Sequence, residues 1–532
     1  MPSAASLPRS RTDLHARSVL GLAVSASPAP AAAIEVRLAA PRVPWALWLS
    51  LALVATWVTL GASVNTAQWG DHFEQFVWAH GVEWGYYKHP PLPTWLLAAA
   101  INVFGPSPYW AYVLAGLCTA GTAGFTYAIA RRLLGAPLAA LALLLWGLQQ
   151  AFSTRAQLFN HNTVMMLAVS AAAWCVLRAL QSPLRRWWVA AGVAAGLAML
   201  SKYQSVVPLA GIVVALMLAG ELASRRTRWG IVLAAAVAAL VFAPHLLWML
   251  QHDFTTLRYA AQEGPPLPWA ERAFSVVGFL AQQVRLLFPS LLFALLLWLL
   301  PGLRKQPGSD ADDAGAPRRR AWFIGLIVFP LVVTLLTCPT FGLKLQNHWG
   351  YQCLQFVALW LAWRLRGVLQ RAPRTIVMLA LLVQALSMAV AAKPSWTRET
   401  QPGRRVDGQY PARQLAAAVQ ADWHAVTECP LRVVVGPSFE AGMVSVYAPR
   451  PPKVLEGGDF RKSPWVQPDE LQRDGAVYVA TEPSQLPGHA ARVGSLPVGA
   501  AADGARVYWS VVPPQACDTA LAGTAAGGPA LR

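Results

Sequence analysis

WGIVLAAAVAALVFAPHLLWML, residues 229–250, decides what kind of fold this chain adopts. Its only ionisable side chain is His245. As a helix rising ~1.5 Å per residue, it is long enough to cross the ~30 Å hydrocarbon core of a bilayer. It lacks the two-residue alternation of a barrel strand. Similar runs recur from Trp45 to Ala392, near 45–64, 108–130, 136–153, 163–180, 187–201, 205–220, 273–300, 321–339, 351–366 and 375–392. The chain therefore reads as an α-helical polytopic membrane protein with about eleven spans. Bulk composition agrees. The 532 residues are 55% hydrophobic and 13% charged, too apolar for a soluble chain of this length.

Charge sets the expected topology. The net charge is +18. Arg131-Arg132, Arg185-Arg186, Arg225-Arg226, Arg304-Lys305, Arg318 to Arg320 and Arg364 to Arg374 fall in alternate loops. The positive-inside rule puts these loops in the cytoplasm. Residues 1–43, rich in Ala, Pro, Ser and Arg, read as a disordered cytoplasmic N-terminus rather than a signal peptide. Residues 44–392 form the membrane domain, and 393–532 fall outside, in the periplasm of a bacterial inner-membrane protein. No basic face on a soluble module points to nucleic acid.

The tail changes character. LRVVVG (431–436), MVSVYA (443–448), GAVYVA (475–480) and ARVYWSVV (505–512) read as strands, and 412–426 as an amphipathic helix. A small extracytoplasmic α/β accessory domain is expected. There Cys429 and Cys517 can form a disulfide.

The opposite loops collect the unusual polar groups: DHFEQFVWAH (71–80), WGYYKHPPLPTW (84–95), FNHN (159–162), SKYQ (201–204), QHDF (251–254) and KLQNHW (344–349). Polar groups at membrane depth are costly, so a convergent set implies a cavity. Lysines are scarce beside arginines, yet Lys88, Lys202 and Lys344 all lie here. Ammonium groups suit a compact phosphate, with His89 and His348 assisting and Arg258 and Arg285 as weaker candidates. A surface helix over 71–80 would turn Asp71, Glu74, Gln75 and Trp78 toward the cleft. Asp71 suits a general base, with Glu74 beside it. Pro90-Pro91 ends helical geometry and aims Lys88 and His89. The histidines and carboxylates leave a divalent metal open, but no HExxH or CxxC spacing marks one, so no metal ligand is assigned.

This order of motifs, with Gln283 and Pro289 and with KLQNHWG, resembles the bacterial branch of the protein O-mannosyltransferase and aminoarabinose transferase enzymes. YYKHPPL is its most specific part, and SPWVQPDEL (463–471) resembles the soluble extension of some members. The resemblance covers about 45–390. It implies a GT-C glycosyltransferase fold. It also implies inverting transfer of a sugar from a polyprenyl-phosphate donor to a lipid A, lipopolysaccharide, other glycan or protein acceptor at the outer face. Asp71 takes the position of the family's base. Many members have Asp-Glu there; this chain has Asp71-His72, with Glu74 displaced. Aminoarabinose transferases carry Glu-Lys before Pro-Pro where Lys88-His89 stand here, so that Glu's metal ligation does not carry over. Tyr86, Tyr87, Asn160, Asn162, Tyr203, His252 and Asp253 are expected to line the substrate cleft. The alternative is a transporter or flippase for a lipid-linked or anionic substrate, which would show paired halves and midplane charges. Here the polar groups gather on one side.

Overall fold

The computed structural model describes residues 45–262, 266–299, 315–366, 373–397, 407–498 and 505–515. The leader 1–43 and Cys517 lie outside them. The helices of the membrane part are α1 (Trp45–Val64), α2 (Gly70–Trp78), α3 (Leu92–Phe104), α4 (Trp110–Leu134), α5 (Ala136–Leu148), α6 (His161–Gln181), α7 (Arg186–Ser201), α8 (Val206–Leu218), α9 (Arg225–Gln251), α10 (Thr255–Gln262), α11 (Trp269–Leu299), α12 (Ala316–Phe323), α13 (Phe329–Phe341), α14 (Tyr351–Arg364) and α15 (Pro373–Thr397). A π turn at Ile324–Val328 joins α12 to α13 into one rod. Among the described residues, 7 helices are long and apolar enough to cross a membrane: α1, α4, α6, α9, α11, the α12–α13 rod and the Arg374–Ala392 part of α15.

The other four expected spans are helices cut short. The helix α5 has 13 residues, α7 has 16, α8 has 13 and α14 has 14. Each stops or starts at a polar segment. The first gives way to a 3-10 turn at Gln150–Phe152, and α7 ends where Lys202 turns extended (φ −162°, ψ 133°). A 3-10 turn at Tyr203–Ser205 precedes α8, and another at Asn347–Gly350 precedes α14. Irregular backbone at such depth is tolerated where it lines a cavity rather than lipid.

Among the described residues, the two sets of loops lie at opposite ends of the bundle. At one end Arg318 pairs with Glu221 at 2.9 Å, while Arg226 donates to the Ala179 carbonyl at 3.0 Å. At the other end sit α2, the N-terminus of α6 and the C-terminus of α7.

The C-terminal part contains α16 (Ala412–His424), α17 (Ser438–Tyr447) and α18 (Pro468–Asp474), with strands β1 (Val433–Gly436), β2 (Lys453–Glu456), β3 (Ala476–Ala480), β4 (Arg492–Pro497) and β5 (Arg506–Val512). The sheet order is β2-β1-β3-β5-β4. The strand β1 runs parallel to β2 and β3, and β5 antiparallel to β3 and β4. The stretch MVSVYA, expected as a strand, is helical from Met443 to Tyr447, within α17. A parallel β1–β2 pair needs a crossover between its strands, and this segment supplies it. Met443, Val444 and Ser445 are all buried, so packing on two sides overrides their β-preference. Cys429 is disulfide-bonded, whereas Cys118, Cys175, Cys338 and Cys353 are free.

The helix α2 does not lie open on a membrane. Residues His72 to Trp78 are all buried. Phe73, Val77, Trp78 and Tyr86 belong to the same apolar core as Trp423, Met443 and Val454 of the C-terminal part. Contact is close: a Cβ on Gly442 would lie 3.0 Å from Phe73. Trp78 is fully buried, stacks on Tyr86 at 5.0 Å and donates its indole N–H to Glu456 Oε2 at 3.3 Å. Truncation of Trp78 to Ala is expected to cost about 3–5 kcal/mol. The thermal midpoint in detergent and the protease resistance of the C-terminal part should both fall. An unchanged midpoint would show that α2 does not join the two cores.

Candidate active site

The polar ends of α2, α6, α7 and α14 surround a cavity of about 680 Å³. Asp71 lies in the first turn of α2, where the helix dipole favours a carboxylate. It is the one residue from Asp71 to Trp78 that stays exposed. Asn160 holds it, donating its amide N–H to Asp71 Oδ2 at 2.8 Å. The same side chain caps α6, its Oδ1 accepting the N–H groups of Asn162 and Thr163 at 2.9 and 3.2 Å. His72 fixes the segment from behind. Its Nε2 accepts the Phe159 N–H at 2.8 Å, so Nδ1 carries the proton and donates to Gln68 Oε1 at 3.0 Å. Burial holds this imidazole neutral, its pKa lowered to about 3.

Lys88 enters from the loop ahead of Pro90-Pro91. Its ammonium donates to Glu74 Oε2 at 2.7 Å. Burial works against both charges. On Glu74 it wins despite Lys88, with the Asp71 charge adding to it, and the carboxyl is pushed up to about 7. On Lys88 burial is outweighed by attraction to Glu74 and the hydrogen bond to it, and the pKa goes up. Lys202, extended at the end of α7, donates to Asn162 Oδ1 at 2.8 Å. His89 and His348 are held neutral by burial, with Lys202 and Lys88 adding to the effect. They offer N–H donors rather than positive charge.

The loop bearing Lys88 is fixed from three sides. Tyr87 donates its hydroxyl to Glu456 Oε1 at 2.7 Å. His245 of α9 donates from Nδ1 to the Trp84 carbonyl at 2.6 Å, and its Nε2 accepts the Tyr203 hydroxyl at 2.7 Å. Gly85 allows this approach, since a Cβ there would lie 2.4 Å from Trp248.

Of the residues singled out from sequence, Asp71, Glu74, Lys88, His89, Asn160, Asn162, Lys202, Tyr203 and His348 line the cavity. Others do not. Lys344 is exposed and does not line the cavity, although Leu343 and Gln346 on either side of it do. His252 stacks on Trp248 at 4.3 Å and is exposed, as is Asp253. Tyr86 is buried against Trp78, Tyr87 faces a neighbouring cleft, and Arg285 is tied to Gln282 at 2.8 Å. Gln75 turns inward to accept from Thr94 at 2.7 Å, and Trp78 is core. The sequence reading missed Arg155, Tyr259 and Tyr351 on the cavity wall, whereas His161 of the FNHN stretch does line it. Arg155 carries one signal: it is an arginine in a loop of the otherwise arginine-poor set.

Glu74, His89 and His161 place one ligand atom each within 4.8 Å of one another. The donors do not suit a cation as they stand. Glu74 is engaged by Lys88, His161 Nε2 faces the Gln75 amide at 3.4 Å, and Lys88 and Lys202 set a positive field around both rings.

Residues 88–248 match the family described as dolichyl-phosphate-mannose-protein mannosyltransferase. The chain is 25% identical over 300 residues to the lipid A galacturonosyltransferase RgtD of Rhizobium johnstonii (strain DSM 114642 / LMG 32736 / 3841), a match covering 55% of this chain and 60% of that protein. It is 28% identical over 221 residues to the lipopolysaccharide core galacturonosyltransferase RgtB of the same organism, covering 40% and 44%. The match thus spans less than two thirds of either relative. In structure it is similar to ArnT from Cupriavidus metallidurans bound to undecaprenyl phosphate, with a TM-score of 0.52 and 18% identity, covering 87% of this chain and 98% of that one. The fold is ArnT-like, a helical multi-pass membrane fold with a small C-terminal sheet region.

The Glu74 carboxyl provides a check that needs no substrate. In pH-resolved infrared spectra, a protonated carboxyl band is expected below pH 7, disappearing as pH rises through about 7. Glu74→Gln should lack that band. Because the folded-state pKa lies above the ordinary value of 4.5, the fold should lose stability as pH rises from about 4.5 to about 7 and level off above that. A Glu74 band that disappears near pH 4 would refute the burial argument.

Proposed function

We propose that this protein is an integral membrane glycosyltransferase. It moves a sugar from a polyprenyl-phosphate donor to a cell-envelope glycolipid of the lipid A or lipopolysaccharide class, at the periplasmic face of the inner membrane. The observation that carries this reading is Asp71, open to the cavity and held by Asn160, beside Lys88, Lys202 and Arg155. The ArnT-like fold and the galacturonosyltransferase relatives support it, and galacturonosyl is the first donor sugar to test.

The chemistry follows from charge placement. Asp71 takes the proton from the acceptor hydroxyl as its oxygen attacks the anomeric carbon on the face opposite the phosphate. The bond from that carbon to the phosphate oxygen breaks, inverting the centre. Its electron pair adds negative charge to the phosphate, which Lys202, Arg155 and the N–H donors of His89 and His348 stabilise. Lys344, which stands outside the cavity, has no part in this step. Glu74 is better suited as the partner of Lys88 than as a second base. Ionised, it neutralises that ammonium; protonated, it releases the charge toward the phosphate.

Two measurements test the mechanism. With labelled polyprenyl-phosphate sugar and an envelope glycolipid extract, Asp71→Asn should lower the transfer rate by about 10²–10⁴; transfer equal to wild type would remove Asp71 from the reaction. Donor KM should fall as pH drops from about 8 to about 6, because Glu74 gains its proton near 7. Glu74→Gln should flatten that profile at the low-pH value, and an unchanged profile would discard the counter-ion role.

A further inference from the structure

Next to the main cavity lies a second cleft of about 470 Å³. One side is Tyr87, Arg258 and Tyr259, from the aromatic loop and α10. The other is the turn after β2, carrying Asp459, Arg461 and Lys462. Asp459 shapes that turn, its Oδ1 accepting the Arg461 N–H at 2.9 Å. Three cations thus face one carboxylate, and among the described residues none of the three cations has an ion-pair partner. Lys462 places its ammonium 5.1 Å from the centre of the Tyr87 ring.

The two cavities are one side chain apart. Tyr259 lines both. Its ring meets Tyr87 edge-on at 5.5 Å, and the Lys88 ammonium lies 5.7 Å from its centre. A ligand in the cleft therefore sits beside the reacting cavity without entering it.

We propose that this cleft is the anion subsite for the acceptor, holding a phosphomonoester or carboxylate on the sugar head of an acidic glycolipid. Two guanidinium forks and an ammonium suit such a group. Anchored there, the head group presents a neighbouring hydroxyl past the Tyr87–Tyr259 pair toward Asp71. This rests on the transferase reading. It gives the C-terminal domain a task, since Arg461 and Lys462 come from that domain and so make it select the acceptor.

The test uses the full chain in phosphatidylcholine nanodiscs. The probes are an acylated glucosamine disaccharide bisphosphate, its dephosphorylated form, and phosphatidylglycerol. Wild type should bind the bisphosphate about tenfold or more tighter than the dephosphorylated form, a difference of about 1.4 kcal/mol. The double variant Arg461→Glu with Lys462→Glu should erase that preference, and Arg258→Ala, on a separate element, should weaken it. In transfer assays the double variant should raise acceptor KM about tenfold and leave donor KM unchanged. Retained preference in both variants would overturn the proposal. So would phosphatidylglycerol competing as well as the bisphosphate, which would make the cleft a site for bulk lipid head groups. Phosphate-dependent binding by a wild type that transfers no sugar would sink the transferase reading and leave the anion subsite standing.

Discussion

A lysine ammonium taken out of water beside a membrane needs a carboxylate within reach, and Lys88 meets Glu74 at 2.7 Å. Much of the structure exists to hold that pair. Glu74 stays in place because α2 is packed between the membrane helices and the C-terminal core. Lys88 stays because the loop before Pro90-Pro91 is pinned by Glu456, His245 and the approach at Gly85. Removing one partner of a buried pair leaves an uncompensated charge, which costs more than the pair itself contributes. The aromatic stack of Trp78 on Tyr86 and the tie from Thr94 to Gln75 therefore bear directly on the electrostatics of the cavity.

Asn160 shows how one side chain serves fold and site together. Its oxygen caps α6, and its amide nitrogen positions the Asp71 carboxylate. A helix start and the carboxylate at the cavity are fixed by the same rotamer. The short helices obey a similar logic. Where α5, α7, α8 and α14 give way to irregular backbone, they contribute Arg155, Lys202, Tyr203 and His348 to the wall. The loss of helical hydrogen bonds is tolerated because those segments face a polar space.

The C-terminal domain shares a core with α2 and sends Glu456 onto Tyr87 and Trp78, so it belongs to the architecture of the site. Treating it from sequence as an accessory domain missed this. Glu456 lies in an ordinary-looking KVLE strand end, and no spacing marks it.

What the sequence determined was the helical membrane class of the fold and the polar groups that stand out against it. Long apolar runs give membrane helices, clustered arginines collect at one end, and the Pro-Pro break gives a stiff loop. Asp71, Glu74, Lys88, Asn160 and Lys202 could be singled out because polar groups in apolar surroundings stand out along the chain. Only the tertiary structure decided which of them meet. Lys344 and His252 carry the same signal as Lys202 and His348, yet they point to solvent, because side-chain direction at a helix end depends on where the backbone turns. The segment 443–447 became a helix because a parallel strand pair needed a crossover there. Arg155, Glu456 and Tyr259 entered the picture through contacts between residues far apart in the chain, and such contacts leave no local trace in a single sequence.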